Sequence, residues 1–279
     1  MNSDLTAHGW EQMELATSDG SKIFRKDFAN HHVDVLVPAE ISSSTPLLVM
    51  HDGKNIFLDS QASFGNSWGV VDAVHNRQLK PVVIGVWGLI NPEFPAIRMF
   101  ELAPQKVLEE NPNLWGQILQ FINTEPHAAF SDDYHEMIAT RILPQVAEGL
   151  GIEIARERTA LAGSSMGGLT SLYGASLYPE LYGTVLSLST HWAFWDPEII
   201  PALLRRISTA PRTRIWLDRG DLELDAQYEG LHEAAADYLR EHGWQDGALL
   251  HAEVFYGTNH SEPVWRDRLP QVLNWWIGD

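Results

Sequence analysis

Short apolar runs alternating with longer stretches of helical periodicity constrain this chain more than any other feature. Val33-Asp34-Val35-Leu36-Val37 alternates with period two, as a half-buried strand does. Leu47-Leu48-Val49-Met50 is a continuous apolar run, the mark of a strand covered on both faces. Residues 68–78 then place Val70, Val71 and Val74 at helical spacing, and Val82-Val83-Ile84-Gly85-Val86-Trp87 returns to a buried strand. Two strands joined through a helix form a crossover unit, which argues for a parallel sheet. The rhythm resumes with an acidic first turn at Ser131-Asp132-Asp133 and a helical face of Met137, Ile138, Ile142 and Val146, in which Pro144 is expected to produce a kink. Strands follow at 159–162, 184–188, 214–217 and 250–255, with helices at 166–177, 198–207 and 225–239. A last helix carries Trp265, Leu269, Val272, Leu273 and Trp276 at core-facing spacing. No change of composition interrupts the series, so the expectation is one α/β domain over 1–279 built on a mostly parallel, doubly wound sheet. The stretch from about 88 to 133 breaks the rhythm with Pro92, Pro95, Pro104, Pro112 and Pro126 and holds only a short helical candidate at 114–122. It is an irregular insertion after an early strand, either a lid or substrate loop or a plain surface excursion.

Composition narrows function by exclusion. The 279 residues hold 19 Lys and Arg against 37 Asp and Glu, a net charge of −18, which lacks the basic footprint of a nucleic-acid binder. The same sign disfavours anionic membrane surfaces, and no apolar run approaches the roughly 18 residues of a membrane helix. With no cysteine at all, disulfides, thiolate metal sites and thiol nucleophiles are excluded. The polar, acidic start Met1-Asn2-Ser3-Asp4 lacks the features of a secretion signal, which gives the expectation of a cytoplasmic protein. Neither H-E-x-x-H nor a carboxylate–histidine cluster at metal spacing occurs, and no phosphate-binding glycine pattern appears. No metal and no cofactor are expected.

The chemistry concentrates at Gly163-Ser164-Ser165-Met166-Gly167-Gly168. A G-x-S-x-G match alone says little, since Gly65-Asn66-Ser67-Trp68-Gly69 also fits. The nucleophile-elbow mechanism requires a strand ending in a strained turn that lifts the serine above the sheet, with a helix starting at once. Ser165 has the strand 159–162 before it and an apolar helix after it, whereas Ser67 follows Leu58-Asp59-Ser60-Gln61-Ala62-Ser63, which is no buried strand. Ser165 is therefore the expected nucleophile.

A serine hydroxyl needs an imidazole to take its proton. In elbow folds the partners follow in the order serine, acid, histidine. Of the later histidines, His232 and His242 fall on or beside a helix and are expected to face solvent, and His251 begins a strand. His260 lies in the loop between the last strand and the last helix, where a base can reach the elbow. The acid should follow the strand at 214–217, where Asp218-Arg219-Gly220-Asp221-Leu222-Glu223-Leu224-Asp225 crowds four carboxylates into eight positions. Asp218 is expected to end the strand, and Asp225 could cap the next helix. Glu223 and Asp225 are the two candidates. The oxyanion needs preorganised N–H donors, one from Met166 after the nucleophile and one from the loop His51-Asp52-Gly53-Lys54-Asn55.

His51-Asp52-Gly53-Lys54-Asn55-Ile56-Phe57, the Ser165 elbow and His260-Ser261-Glu262-x-x-Trp265, in that order, resemble the putative-esterase family of α/β-hydrolases, which includes enterochelin esterases, feruloyl and acetylxylan esterase domains and mycolyltransferases. The resemblance covers about 30–278. It implies an α/β-hydrolase fold and a small-molecule ester substrate, with the second oxyanion N–H from Lys54, where the family more often has a polar or aliphatic residue. One pattern in the family puts its acid at Glu223; members with a Leu-Asp-Ala-x-Tyr run, here Leu224-Asp225-Ala226-Gln227-Tyr228, put it at Asp225, and some members work with serine and histidine alone. The expected activity is cleavage of carboxylic esters through an acyl-enzyme by Ser165, His260 and Glu223 or Asp225. The alternatives are acyl transfer to a sugar or alcohol, and a non-catalytic scaffold on the same fold. Arg98 and Glu101 could meet substrate or pair with each other, and Trp192 could line the pocket or pack in the core.

Overall fold

A computed structural model describes residues 5–14, 17, 19–91, 93–94, 96–114, 116, 129–192 and 196–278. Among the described residues nine strands form one sheet: β1 (Glu11–Gln12), β2 (Lys22–Phe28), β3 (His31–Val37), β4 (Leu47–His51), β5 (Val82–Val86), β6 (Thr159–Ser164), β7 (Thr184–Leu188), β8 (Arg214–Gly220) and β9 (Leu250–Phe255). Their spatial order is β1-β2-β3-β5-β4-β6-β7-β8-β9. From β5 to β9 every neighbouring pair is parallel, with registers such as Val49 opposite Leu161 and Ala162 opposite Leu186. β1, β2 and β3 add an antiparallel edge, β3 pairing with β5. The fold is the α/β-hydrolase architecture, a mostly parallel sheet with helices on both faces.

The continuous apolar runs have a direct cause, because a strand with helices on both faces must present apolar side chains to each. In β4, Leu47 and Val49 enter one core with Leu143, Val146, Leu169 and Leu172 of the overlying helices. Leu48 and Met50, pointing the other way, enter a second core with Val70, Val74, Leu269, Val272 and Trp276. The helices Leu143–Leu150, Met166–Leu177, Ile199–Leu204 and Leu231–Glu241 serve the first face; Val70–His75 and Glu262–Ile277 serve the second.

Several expectations need correction. The edge strands β1 and β2 were not legible as strands. The kink expected at Pro144 takes the form of a π-helical turn, Ile138–Ile142, between the helices Ser131–Met137 and Leu143–Leu150. Proline lacks the N–H that would bond back one turn, and a widened turn is one way for a helix to absorb that loss. The helix expected at 225–239 is two elements: a 3₁₀ turn, Asp225–Tyr228, and a helix starting at Leu231, separated by Gly230 at φ 79°. His232, expected in solvent, is 4% exposed, because it shares a helix face with Ala235, Ala236 and Leu239. His242 does lie exposed. Within the insertion, two helices, Ile97–Leu102 and Gln105–Glu110, pack by their apolar sides. Of the 114–122 candidate, residues 115 and 117–122 lie outside the described residues.

Candidate active site

Parallel strands deliver their carboxyl ends to one edge of the sheet, where ligands of such folds bind. Here β4 ends one residue before Asp52 and β6 one residue before Ser165, while β8 leads to Asp225 and β9 to His260. β6 runs to Ser164, and Ser165 adopts φ 55°, ψ −125° before the helix starts at Met166. A non-glycine residue in that region is strained and persists only where its surroundings over-determine it. The Ser165 N–H donates to the Leu188 carbonyl at 3.0 Å, and its own carbonyl accepts from the N–H groups of His191 and Leu169, both at 3.1 Å. Gly163 is required by the fold of the elbow, since a Cβ there would lie 2.6 Å from the Gly167 carbonyl carbon. The second G-x-S-x-G match has none of this. Ser67 is buried in a loop and donates both its N–H and its hydroxyl to Asp59.

His260 lies in the loop after β9, and its Nδ1 is 2.6 Å from Asp225 Oδ1. The Asp225 side chain is fully buried, whereas that of His260 is 12% exposed. Asp225 Oδ2 accepts from the Gly220 N–H at 2.6 Å and the Ser189 hydroxyl at 2.7 Å. Burial on its own would raise the Asp225 carboxyl, but the hydrogen bonds from His260, Gly220 and Ser189 outweigh it and hold the group below its ordinary value. Glu223 adopts a left-handed φ of 55°, and its carboxylate accepts from the Asn259 side chain at 3.2 Å in an exposed setting. Of the two acid candidates, Asp225 is the one brought to His260.

Asp218 neither ends its strand nor faces the site. It is buried within β8 and paired with Arg268 at 2.7 Å. Tyr228, closing the 3₁₀ turn that Asp225 opens, sets its hydroxyl 2.8 Å from His191 Nδ1, and Ser165 is among the groups that act on its titration. Its proximity was missed from the sequence, although it ends the Leu-Asp-Ala-x-Tyr run. Trp192 is 1% exposed and packs in the core.

A cavity of about 390 Å³ takes in Ser165, His260, Lys54, Arg98, Glu262 and Trp265 among its lining. After β4 the chain turns through Asp52 at φ 55° into a 3₁₀ turn, Gly53–Asn55, which contains Lys54. Only glycine fits at 53, because a Cβ would stand 2.5 Å from the Gly85 carbonyl carbon of β5. Met166, the other expected oxyanion donor, is the first residue of the helix after the elbow. Arg98 pairs with Asp52 through Nε and Nη2, so the insertion grips the turn that carries Lys54. Glu101 does not pair with Arg98. It is fully buried, accepts the Leu89 N–H at 2.8 Å and meets His31 Nε2 at 2.5 Å, and so holds one wall of the cavity.

Four buried histidines surround or underlie this region. Burial pulls His51 and His191 down to about 3, with Arg98 adding to the effect at both, pulls His232 to about 4 against the opposing charge of Glu233, and holds His135 well below the ordinary range. These rings are neutral in the fold, while the unfolded chain protonates them as the pH drops below about 6.5. The unfolded state then binds more protons, so the stability they contribute is complete above about pH 6.5 and is lost towards pH 4. The thermal midpoint is expected to fall by at least about 5 °C between pH 7.5 and 5.5, read by differential scanning fluorimetry. An unchanged midpoint would show that these rings are not held neutral.

Among the described residues no group of three or more His, Asp or Glu side chains could hold a metal ion. No helix among them is long and apolar enough to cross a membrane.

A family model described as putative esterase matches residues 109–276. An iron(III) salmochelin esterase of Escherichia coli O6:H1 is 29% identical over 161 residues, covering 57% of this chain and 31% of that protein. An enterochelin esterase structure from Shigella flexneri superposes with a TM-score of 0.64 at 20% identity, over 94% of this chain and 59% of that one. A BES protein structure from Bacillus cereus gives a TM-score of 0.64 at 16% identity, over 96% and 98% of the two chains. The chain thus spans about a third of the salmochelin esterase and under two thirds of the enterochelin esterase, and with the structures it shares the fold. With the family model matching more than half of its length, this chain belongs to the putative esterase family.

Proposed function

We propose that this protein is a serine esterase that cleaves small carboxylic esters through an acyl-enzyme intermediate, with Ser165 as nucleophile, His260 as base and acid, and Asp225 as the carboxylate behind His260. The observation that carries the reading is the 2.6 Å bond from His260 Nδ1 to the buried Asp225, with His260 and the strained Ser165 lining the same cavity. Holding Nδ1 leaves Nε2 as the basic nitrogen. His260 takes the Ser165 proton as Oγ attacks the ester carbonyl, and the negative charge on the carbonyl oxygen is met by the Met166 and Lys54 N–H groups. The protonated imidazole then hands its proton to the leaving alkoxide as the C–O bond breaks. Water, deprotonated by the same ring, attacks the acyl-enzyme, and the proton returns to Ser165 as the acid product leaves.

The cavity lining also bears on substrate class. Arg98 is neutralised by Asp52, and the lining carries one further residue of each sign, Lys54 and Glu262. Phe64 and Ile90, 74% and 65% exposed, line the cavity together with Leu89 and the buried Trp68 and Trp265. An ester of low net charge with an apolar or aromatic body suits these walls. The names of the relatives add siderophore lactones to the substrates worth trying.

Stopped-flow reaction with p-nitrophenyl acetate tests the mechanism. A burst of p-nitrophenol approaching one equivalent per chain, followed by slower turnover, is expected if deacylation limits the rate. Acetylated alcohol formed in place of acetate when glycerol is added would turn the reading towards acyl transfer. Absence of both burst and turnover across short acyl, feruloyl, sugar-acetyl and siderophore-lactone esters would turn it towards a scaffold.

A further inference from the structure

The hydrogen bonds behind Asp225 have directions fixed by residue type. Trp265 Nε1 reaches Ser189 Oγ at 3.0 Å and Arg268 Nη1 reaches it at 3.3 Å. Indole N–H and guanidinium are donors only. A hydroxyl that accepts from both has a single proton to give, and it points at Asp225 Oδ2, 2.7 Å away. The Gly220 N–H, again a donor only, meets the same oxygen at 2.6 Å. Asp225 Oδ2 is thereby an acceptor twice over, with Arg268 Nη2 a further 3.9 Å from it. A proton on this carboxyl is disfavoured at Oδ2, and the cationic guanidinium favours the ionised form. The ionised Oδ1 can only accept from His260 Nδ1, so the ring carries its hydrogen there and keeps the Nε2 lone pair for Ser165.

Ser189 is itself held in an unusual posture. It sits just past β7 at φ 43°, and its N–H donates to Asp218 Oδ1 at 3.1 Å. Asp218 is clamped by Arg268 at 2.7 Å and by the Trp216 indole at 2.7 Å. Arg268 also donates to the Thr258 hydroxyl at 2.6 Å, in the loop that leads to His260. A left-handed serine whose hydroxyl accepts from two fixed donors has its proton aimed.

We propose that Ser189 is a positioning residue: aimed by Trp265 and Arg268, its hydroxyl keeps Asp225 an acceptor-only carboxylate and so sets the Nδ1–H tautomer of His260. The inference rests on the assignment of Ser165, Asp225 and His260 made above. The other titratable or charged groups about this pair are Glu262 on the last helix, His191 after β7, Tyr228 on the 3₁₀ turn, Arg268 and Asp218 behind Asp225, and Asp52 with Arg98 across the cavity. Substitution at 189 changes the charge of none of them.

The test compares Ser189→Gly and Ser189→Ala with wild type by the rate of fluorophosphonate labelling across pH 5–9, which requires no knowledge of the natural substrate. Glycine accepts φ 43° without strain, so it removes the hydroxyl while leaving the turn free to form. Labelling at neutral pH is expected to slow by about tenfold in both variants. A carboxylate short of one donor is more basic and holds the imidazolium more tightly, so the acid limb should move up by about half a pH unit or more. A Ser189→Gly protein that labels within about twofold of wild type, or that loses rate with an unmoved acid limb, would overturn the proposal by leaving Ser189 only a structural role. Should neither variant fold, ¹⁵N NMR of the wild-type imidazole decides: hydrogen on Nδ1 of resting His260 is expected, and hydrogen on Nε2 overturns the proposal. Wild type that takes no label at all overturns the underlying catalytic assignment, a result distinct from either of these.

Discussion

Ser165→Ala is expected to lower kcat/KM for an activated ester by about 10⁴-fold or more, roughly 5.5 kcal/mol of transition-state stabilisation, while the thermal midpoint stays or rises. The large effect follows from the absence of a substitute nucleophile. Ser164, the preceding residue, also lines the cavity but ends β6 within the sheet and lacks the strained elbow turn, and Ser67 is bonded to Asp59 away from the elbow. Binding and the oxyanion donors would remain, so a small residual rate above water is expected. Stability should not suffer, because a strained serine at φ 55° contributes little that alanine loses. Ser67→Ala should leave kcat/KM within about twofold of wild type. A Ser165→Ala protein with wild-type turnover would place the chemistry elsewhere.

Asp225→Asn is expected to cost about 10³–10⁴-fold in kcat, while Glu223→Gln should change it by less than about threefold. An asparagine that keeps its NH₂ towards Nδ1 would donate where the carboxylate accepts, driving the ring hydrogen to Nε2 and leaving no lone pair for Ser165. The alternative amide orientation turns its NH₂ onto the Gly220 N–H and the Ser189 hydroxyl, where Asp225 Oδ2 now accepts two bonds. Either arrangement loses something the carboxylate supplies. Glu223 has one exposed bond to Asn259, so its replacement disturbs the loop only slightly. A large loss in Glu223→Gln with normal turnover in Asp225→Asn would reverse the assignment, and small losses in both would favour a serine–histidine pair acting alone.

What the sequence made legible were features carried by short-range pattern. Apolar runs such as 82–86 and 184–188 announce strands buried on both faces, and the strand-to-helix junction at Ser165 announces the elbow. What it left open depended on contacts between distant segments. Glu223 and Asp225 are two residues apart and chemically alike; they differ because Gly230 breaks the expected helix and leaves Asp225 opening a 3₁₀ turn beneath His260. His232 stands at helical spacing from Ala235, Ala236 and Leu239, a local sign of its buried face that its polar character masks. Arg98 has its partner 46 positions away at Asp52, and no local rule connects them. Ser189, in no motif of its own, gains its place from Asp225, Trp265 and Arg268, which come together only when the sheet is assembled.

Whether Ser165 is the nucleophile is read from the intact mass of the protein after reaction with a fluorophosphonate, followed by peptide mapping. One adduct per chain, located on Ser165, is expected, and none on Ser165→Ala. Folded wild-type protein that takes no adduct, or takes it on Ser67 or any other residue, would contradict that assignment.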